Sequence, residues 1–135
     1  MTLHTILQPS GWPKPKGYAN GLASHGDTIW LGGQIGWNEK GEFAPDLAAQ
    51  IGQVLRNILT VLAEAGAGPE HVVRLTWYLV SMDDYHAQIK EIGRIYRETM
   101  GMHFPAMSVV QVTRLAETEA LVEIEATAVR PAPHP

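Results

Sequence analysis

Two amphipathic helices have to serve four β-rich runs, and that imbalance constrains the fold more than any other feature of the chain. From Asp46 to Ala65, apolar residues fall at Leu47, Ile51, Leu55, Ile58 and Leu62, a helical stripe. Asp46 is placed to cap its start and Gly66 to end it. From Asp83 to Met100 a second stripe runs through Tyr85, Ile89, Ile92, Tyr96 and Met100, with Ser81 or Asp83 as its cap and Gly101 after it. The runs DTIWLGGQIGW, VVRLTWYLV, AMSVVQV and ALVEIEATAV are rich in β-branched and aromatic residues and read as strands. A weaker strand, Tyr18 to Ser24, is expected to pair with the segment from Thr28 onward across HGD. Two helices can cover one face of one sheet, so the expected architecture is a two-layer α+β domain.

The uncovered face then matters. In the run from Val72 to Val80, Val73, Leu75, Trp77 and Leu79 share the side expected to pack on helices, leaving Val72, Arg74, Thr76, Tyr78 and Val80 on the other. Thr28, Trp30, Gly32 and Gln34 share one side of the preceding strand. A second face of such mixed character, not plainly solvated, tends to find a partner. A homo-oligomer is expected, with sites where subunits meet.

The 135 residues suffice for a single domain, taken as 1–135, with an irregular Pro- and Gly-rich arm over 1–17 and a loose tail over 131–135. Ten basic residues against fourteen acidic ones give a net charge of −4, which supplies no field for a phosphate backbone, so no nucleic-acid partner is expected. The absence of cysteine excludes disulfides, thiolate catalysis and Cys–zinc sites. No apolar run approaches a membrane span and the first residues lack the pattern of a signal peptide. The expectation is a soluble cytoplasmic protein with no membrane partner.

Few residues stand out as chemistry. The six histidines make no i, i+4 pair and no HExxH, so neither a metal nor a cofactor is expected. Asp83 and Asp84 open a helix and are explained by capping. LGGQIG lacks the pattern of a phosphate loop; glycines within a strand mean either a bulge or the close approach of another backbone or a ligand. VEIEATAV puts Glu123 and Glu125 on one side of a strand, about 7 Å apart. Two acids in that pattern, taken alone, are best explained as a solvated face, though a single carboxylate there could still orient a water or take its proton.

Taken in order, KGYANG, LGGQIG, NEKGEF, LAAQIGQVLRNILTVLAEAG, VVRLTWYLVSMDDY, FPAMSVVQVTRL and VEIEATAV resemble the YjgF/Rid family of reactive-intermediate deaminases, whose members also carry the names endoribonuclease L-PSP and translation inhibitor. The resemblance spans about Lys16 to Arg130. It implies a chorismate-mutase-like sheet with two helices on one face, and a homotrimer packed through the other face with small-molecule clefts at the subunit interfaces. It also implies hydrolysis of an enamine or imine to a ketone and ammonia. By position it assigns the family's cleft Tyr to Tyr18, the Gly of its Ser-Gly pair to Gly33, and the Glu that positions water to Glu123. The Ser of that pair is Gly32 here. The motif P-A-R-S reads P-A-M-S, so Ser108 is kept and Met107 stands where the resemblance places an arginine that clamps the substrate carboxylate. An archetypal Asn has no clear counterpart, its nearest position being Gly93.

A guanidinium holds a carboxylate through two charge-assisted hydrogen bonds, whereas a thioether prefers apolar or aromatic contact. The cleft is therefore not expected to take 2-aminoacrylate as an arginine-bearing relative would, unless Arg74, Arg94 or Arg114 supplies the cation. A neutral or weakly polar ligand is expected beside Met107 and nearby aromatics, with Glu123 on a strand next to that of Met107 as the strongly polar group in reach. Three functions compete: a divergent hydrolase or deaminase, a non-catalytic small-ligand binder or sensor using the same clefts, and a ribonuclease or translation inhibitor, which the acidic charge balance disfavours.

Overall fold

The structure, a computed structural model, describes residues 3–132. Four strands form the main sheet: β3 (Asp27–Ile35), β4 (Val72–Leu79), β5 (Ala106–Gln111) and β6 (Val122–Arg130), in the order β3-β6-β4-β5. β6 runs antiparallel to both of its neighbours, and β5 lies parallel to β4 at the edge. Helices α1 (Leu47–Glu64), α2 (Met82–Ala87) and α3 (Ile89–Met100) supply the second layer, so the two-layer α+β architecture is the one found. Among the described residues no helix is long and apolar enough to cross a membrane.

α1 begins where its cap predicts. Asp46 Oδ1 accepts the Ala49 N–H at 2.9 Å, satisfying one of the amides that a helix start leaves unpaired. Its stripe of Ile51, Val54, Leu55, Ile58 and Leu62 is fully buried against the sheet. The second predicted helix is in fact two. The chain leaves helical geometry at Gln88 (φ −105°, ψ 14°), whose Oε1 accepts the Ala48 N–H at 2.9 Å. The break thus satisfies another orphan amide of α1 and ties the two helical segments together. Ile92, Tyr96 and Met100 of α3 are buried, while Ile89 of the predicted stripe is exposed.

Three strand expectations are corrected. First, β5 and β6 are not neighbours, despite their closeness in sequence. Residues 112–121 pass over the end of β4, where Val112 N–H binds the Leu79 carbonyl at 2.8 Å and Val80 N–H binds the Leu121 carbonyl at 3.2 Å. Buried Gln50 holds this connection, accepting from Leu121 N–H at 2.8 Å and donating to the Glu119 and Ala44 carbonyls at 3.1 Å. Second, the arm expected to be irregular contains β1 (His4–Ile6). It pairs with β2 (Leu22–Ser24), which was expected to pair with the segment from Thr28. At Gly26 (φ 151°) a Cβ would stand 2.0 Å from the Arg130 carbonyl, so the chain turns tightly against the end of β6 and β3 continues beside β6 instead. Third, pairing slips between Val72 and Arg74, a bulge at Val73. Val72 therefore opposes Ala128 on the helix side and is fully buried, while Val73 is only half-buried. At the C-terminal end Pro131 and Ala132 are exposed and lie outside any strand; the rest of the expected loose tail, like residues 1–2 of the arm, lies outside the described residues.

The sheet has two unlike faces. Leu75, Trp77, Leu79, Ile124, Ala126 and Ala128 face the helices and are buried. Trp30, Arg74, Tyr78, Glu123 and Glu125 stand on the face no helix covers, with Trp30 78% exposed.

Candidate functional site

The residues singled out from the sequence fall into two groups on opposite sides of the sheet. The first lines a cavity of about 530 Å³ between α3, β5 and residues 16–18. Met107 is in register with Leu75 of β4, so it points to the helix side, and with Tyr18 it forms part of the cavity wall. The rest of the wall is largely aromatic. Tyr96 and Phe104 stack with ring centroids 5.5 Å apart and planes 14° from parallel, and Trp77 lies 6.4 Å from Tyr96 on one side and from Tyr85 on the other. Burial pushes the hydroxyls of Tyr96 and Tyr85 up, so both phenols stay neutral at physiological pH. Tyr96 donates to the His103 carbonyl at 2.7 Å. The indole N–H of Trp77 is buried and has no acceptor among the described residues.

The second group lies on the open face. Glu123 opposes Ile35 on β3 and Tyr78 on β4. Pairing of β3 with β6 slips between Leu31 and Gln34, so Gly32 and Gly33 form a bulge opposite Glu125. A Cβ on Gly33 would come within 2.4 Å of Glu123 Oε2, so the carboxylate occupies room that only glycine leaves free. Gly32 is exposed with open space around it, and Ser108, beside Thr76, faces the open side at the edge strand.

The two acids of VEIEATAV differ. Tyr78 Oη donates to Glu125 Oε1 at 2.7 Å, and that hydrogen bond is the main cause holding the Tyr78 hydroxyl above its ordinary ionisation range. Half-buried Glu123 accepts no hydrogen bond among the described residues and keeps both oxygens available.

Tyr18 and Met107 therefore share one cavity, and Gly33 and Glu123 share one patch of open sheet. Within a single chain the groups do not converge: β4 separates their strands and the side chains of Met107 and Glu123 project to opposite faces. None of the three arginines considered from sequence lines the aromatic cavity. Arg94 is held between Glu91 and Glu98, Arg74 lies on the open face beside Glu125, and Arg114 sits exposed in the connection to β6. The cations that do line it, Lys16 and Arg97, were missed. The spacing Gly93-x-x-x-Arg97 on a helix was the available signal, since i and i+4 share a face.

Residues 13–130 match the family model described as Endoribonuclease L-PSP. A RutC family protein of Pyrococcus abyssi is 36% identical over 118 residues, covering 86% of this chain and 89% of the relative. The 2-iminobutanoate/2-iminopropanoate deaminase of Escherichia coli is 35% identical over 106 residues, covering 78% of this chain and 81% of the relative. Among solved structures, the Rid family protein YyfB from Yersinia pestis superposes with a TM-score of 0.81 at 35% identity, covering 95% of this chain and 99% of that one.

Proposed function

The chain belongs to the endoribonuclease L-PSP family, also called YjgF/Rid, and from that premise we propose that it hydrolyses a small enamine or imine larger and more apolar than 2-aminoacrylate. The working unit is a cytoplasmic homotrimer with its clefts between subunits. The support for assembly is geometric: an uncovered face carries an exposed Trp30, and the two residue groups can share a cleft only if one copy brings Tyr18 and Met107 and another brings Gly33 and Glu123.

One observation carries the catalytic reading. Glu123 lies in the space cleared by Gly33 with no hydrogen-bond donor upon it, whereas the neighbouring Glu125 is engaged by Tyr78. A free, half-buried carboxylate is suited to take a proton from water as the water oxygen adds to the imine carbon. Glu123 passes that proton to the nitrogen, giving a carbinolamine; the hydroxyl proton then moves through Glu123 to the amine, the C–N bond breaks, and ammonia departs as the carbonyl forms. Tyr18 orients the ligand, with Gly32 and Ser108 at the margins of the cleft. Met107 and the aromatic wall select for an apolar side chain.

The second reading, a non-catalytic binder, is favoured by the same apolar wall, which can hold a ligand without performing chemistry on it. The test is to generate imines in place with an amino-acid oxidase, from phenylalanine, leucine or alanine, and to follow their disappearance by chemical trapping. The expected result is faster loss for the phenylalanine and leucine imines than for the alanine imine. No acceleration with any of them leaves the binding reading in its place.

A further inference from the structure

We infer that Arg97, lying back over Gly93, is the anion-holding residue of the aromatic cavity, and that the cavity takes an organic acid with an aromatic or large aliphatic body. The inference rests on reading this cavity as the ligand-holding half of the cleft. It replaces the neutral-ligand preference expected from Met107 alone.

Side chains on a helix lean toward its N-terminus, so the stem of Arg97 runs along α3 over the residue four positions earlier. That residue is Gly93. A Cβ there would lie 3.2 Å from Arg97 Nη1, so the tip of the guanidinium rests against the helix at Gly93, on the cavity wall. The neighbouring Arg94 shows the alternative, with both ends of its guanidinium taken by Glu91 and Glu98. Arg97 has no carboxylate partner among the described residues. The cavity wall holds two cations, Arg97 and Lys16, and no acidic residue. A guanidinium without a counter-ion at the mouth of an apolar cavity suits the planar, two-point recognition of a carboxylate.

The rest of the wall points the same way: Tyr96, Phe104 and Met107 give the ligand's body an apolar, largely aromatic surface. The ligand class is therefore a carboxylic acid with a bulky aromatic or aliphatic body. The arginine missing from the strand is replaced from the helix.

The test is calorimetric titration of the full-length protein with phenylpyruvate and with its methyl ester, which has nearly the same shape without the charge. The wild type is expected to bind the acid about tenfold or more tightly than the ester. Arg97→Gln should erase that preference with ester affinity unchanged, and Arg97→Lys should keep part of it. Gly93→Val, which crowds the guanidinium without removing it, should reduce the preference too. Arg97 is exposed, so its variants should fold as the wild type does, and thermal melts check this for them and for Gly93→Val. Acid preference that survives Arg97→Gln overturns the inference, as does a wild type that binds acid and ester alike or binds neither. Binding is read without turnover. A protein inactive toward every imine yet selective for the acid through Arg97 would refute hydrolysis and uphold the anchor.

Discussion

The two faces of the main sheet are built from the same strands, residue by alternate residue, yet follow opposite rules. On the covered face Leu75, Trp77, Leu79 and Ile124 are buried beneath α1 and α3, in a core that the chain completes by itself. On the open face Trp30 stands exposed, Glu125 is tied to Tyr78, and Glu123 is left without a donor. The difference teaches where to look for function. A face that completes its own packing explains the fold, and one that leaves an aromatic and a carboxylate unfinished points to what arrives from outside.

The contrast can be broken most severely from the covered side. Leu75→Ala removes a fully buried side chain and should cost about 3 kcal/mol in urea unfolding. On the open side Glu123→Gln should leave that unfolding curve in place and lower imine hydrolysis by about 100-fold or more. Gly33→Ala should mimic it, since the added Cβ falls 2.4 Å from the carboxylate oxygen and displaces it. Trp30→Glu should weaken association between copies by about tenfold or more, seen as lower mass in light scattering, with the helix-side core intact. The smallest effect lies back on the covered side. Tyr96→Phe removes the hydrogen bond to the His103 carbonyl and should cost about 1 kcal/mol. Burial raises the Tyr96 hydroxyl above the ordinary phenol value of 10.0, so the folded state holds this proton more tightly than the unfolded state. That contribution is fully present below pH 10.0 and is lost as the pH rises toward the folded-state value. The wild type should lose stability above that pH more steeply than the Phe variant does.

Helical periodicity was legible in the sequence because it is local. Asp46, Ile51, Ile58 and Leu62 lie where a period of 3.6 puts them, and the cap forms as spacing implies. The break at Gln88 was not legible, since its cause is an amide at Ala48 on another helix. Strand order escaped for the same reason: the insertion of β6 between β3 and β4 depends on contacts through Gln50 to residues 119 and 121, far away in sequence. The bulges at Val73 and at Gly32–Gly33 each shift which residues face the helices, which no strict alternation can foresee. At the site, Tyr18 and Met107 do share a cavity, and Gly33 and Glu123 do touch. That the pairs lie on opposite faces, and that Arg97 rather than Arg74, Arg94 or Arg114 reaches the cavity, follows from the parallel placement of β5 and the lean of α3.

The position of β6 also sets a timetable. It is the last of the described strands in chain order, yet it pairs on both sides and occupies the interior of the sheet. During synthesis β3, β4 and β5 emerge first, and β3 has nothing to pair with in the main sheet until β6 follows. Closing those long-range pairings requires ordering most of the chain before the contacts are gained, which slows folding relative to a sheet of sequential hairpins. The nascent chain therefore carries an unpaired β3, with its apolar Ile29 and Trp30, until β6 has been made, and in that interval this stretch is the strand edge most open to aggregation.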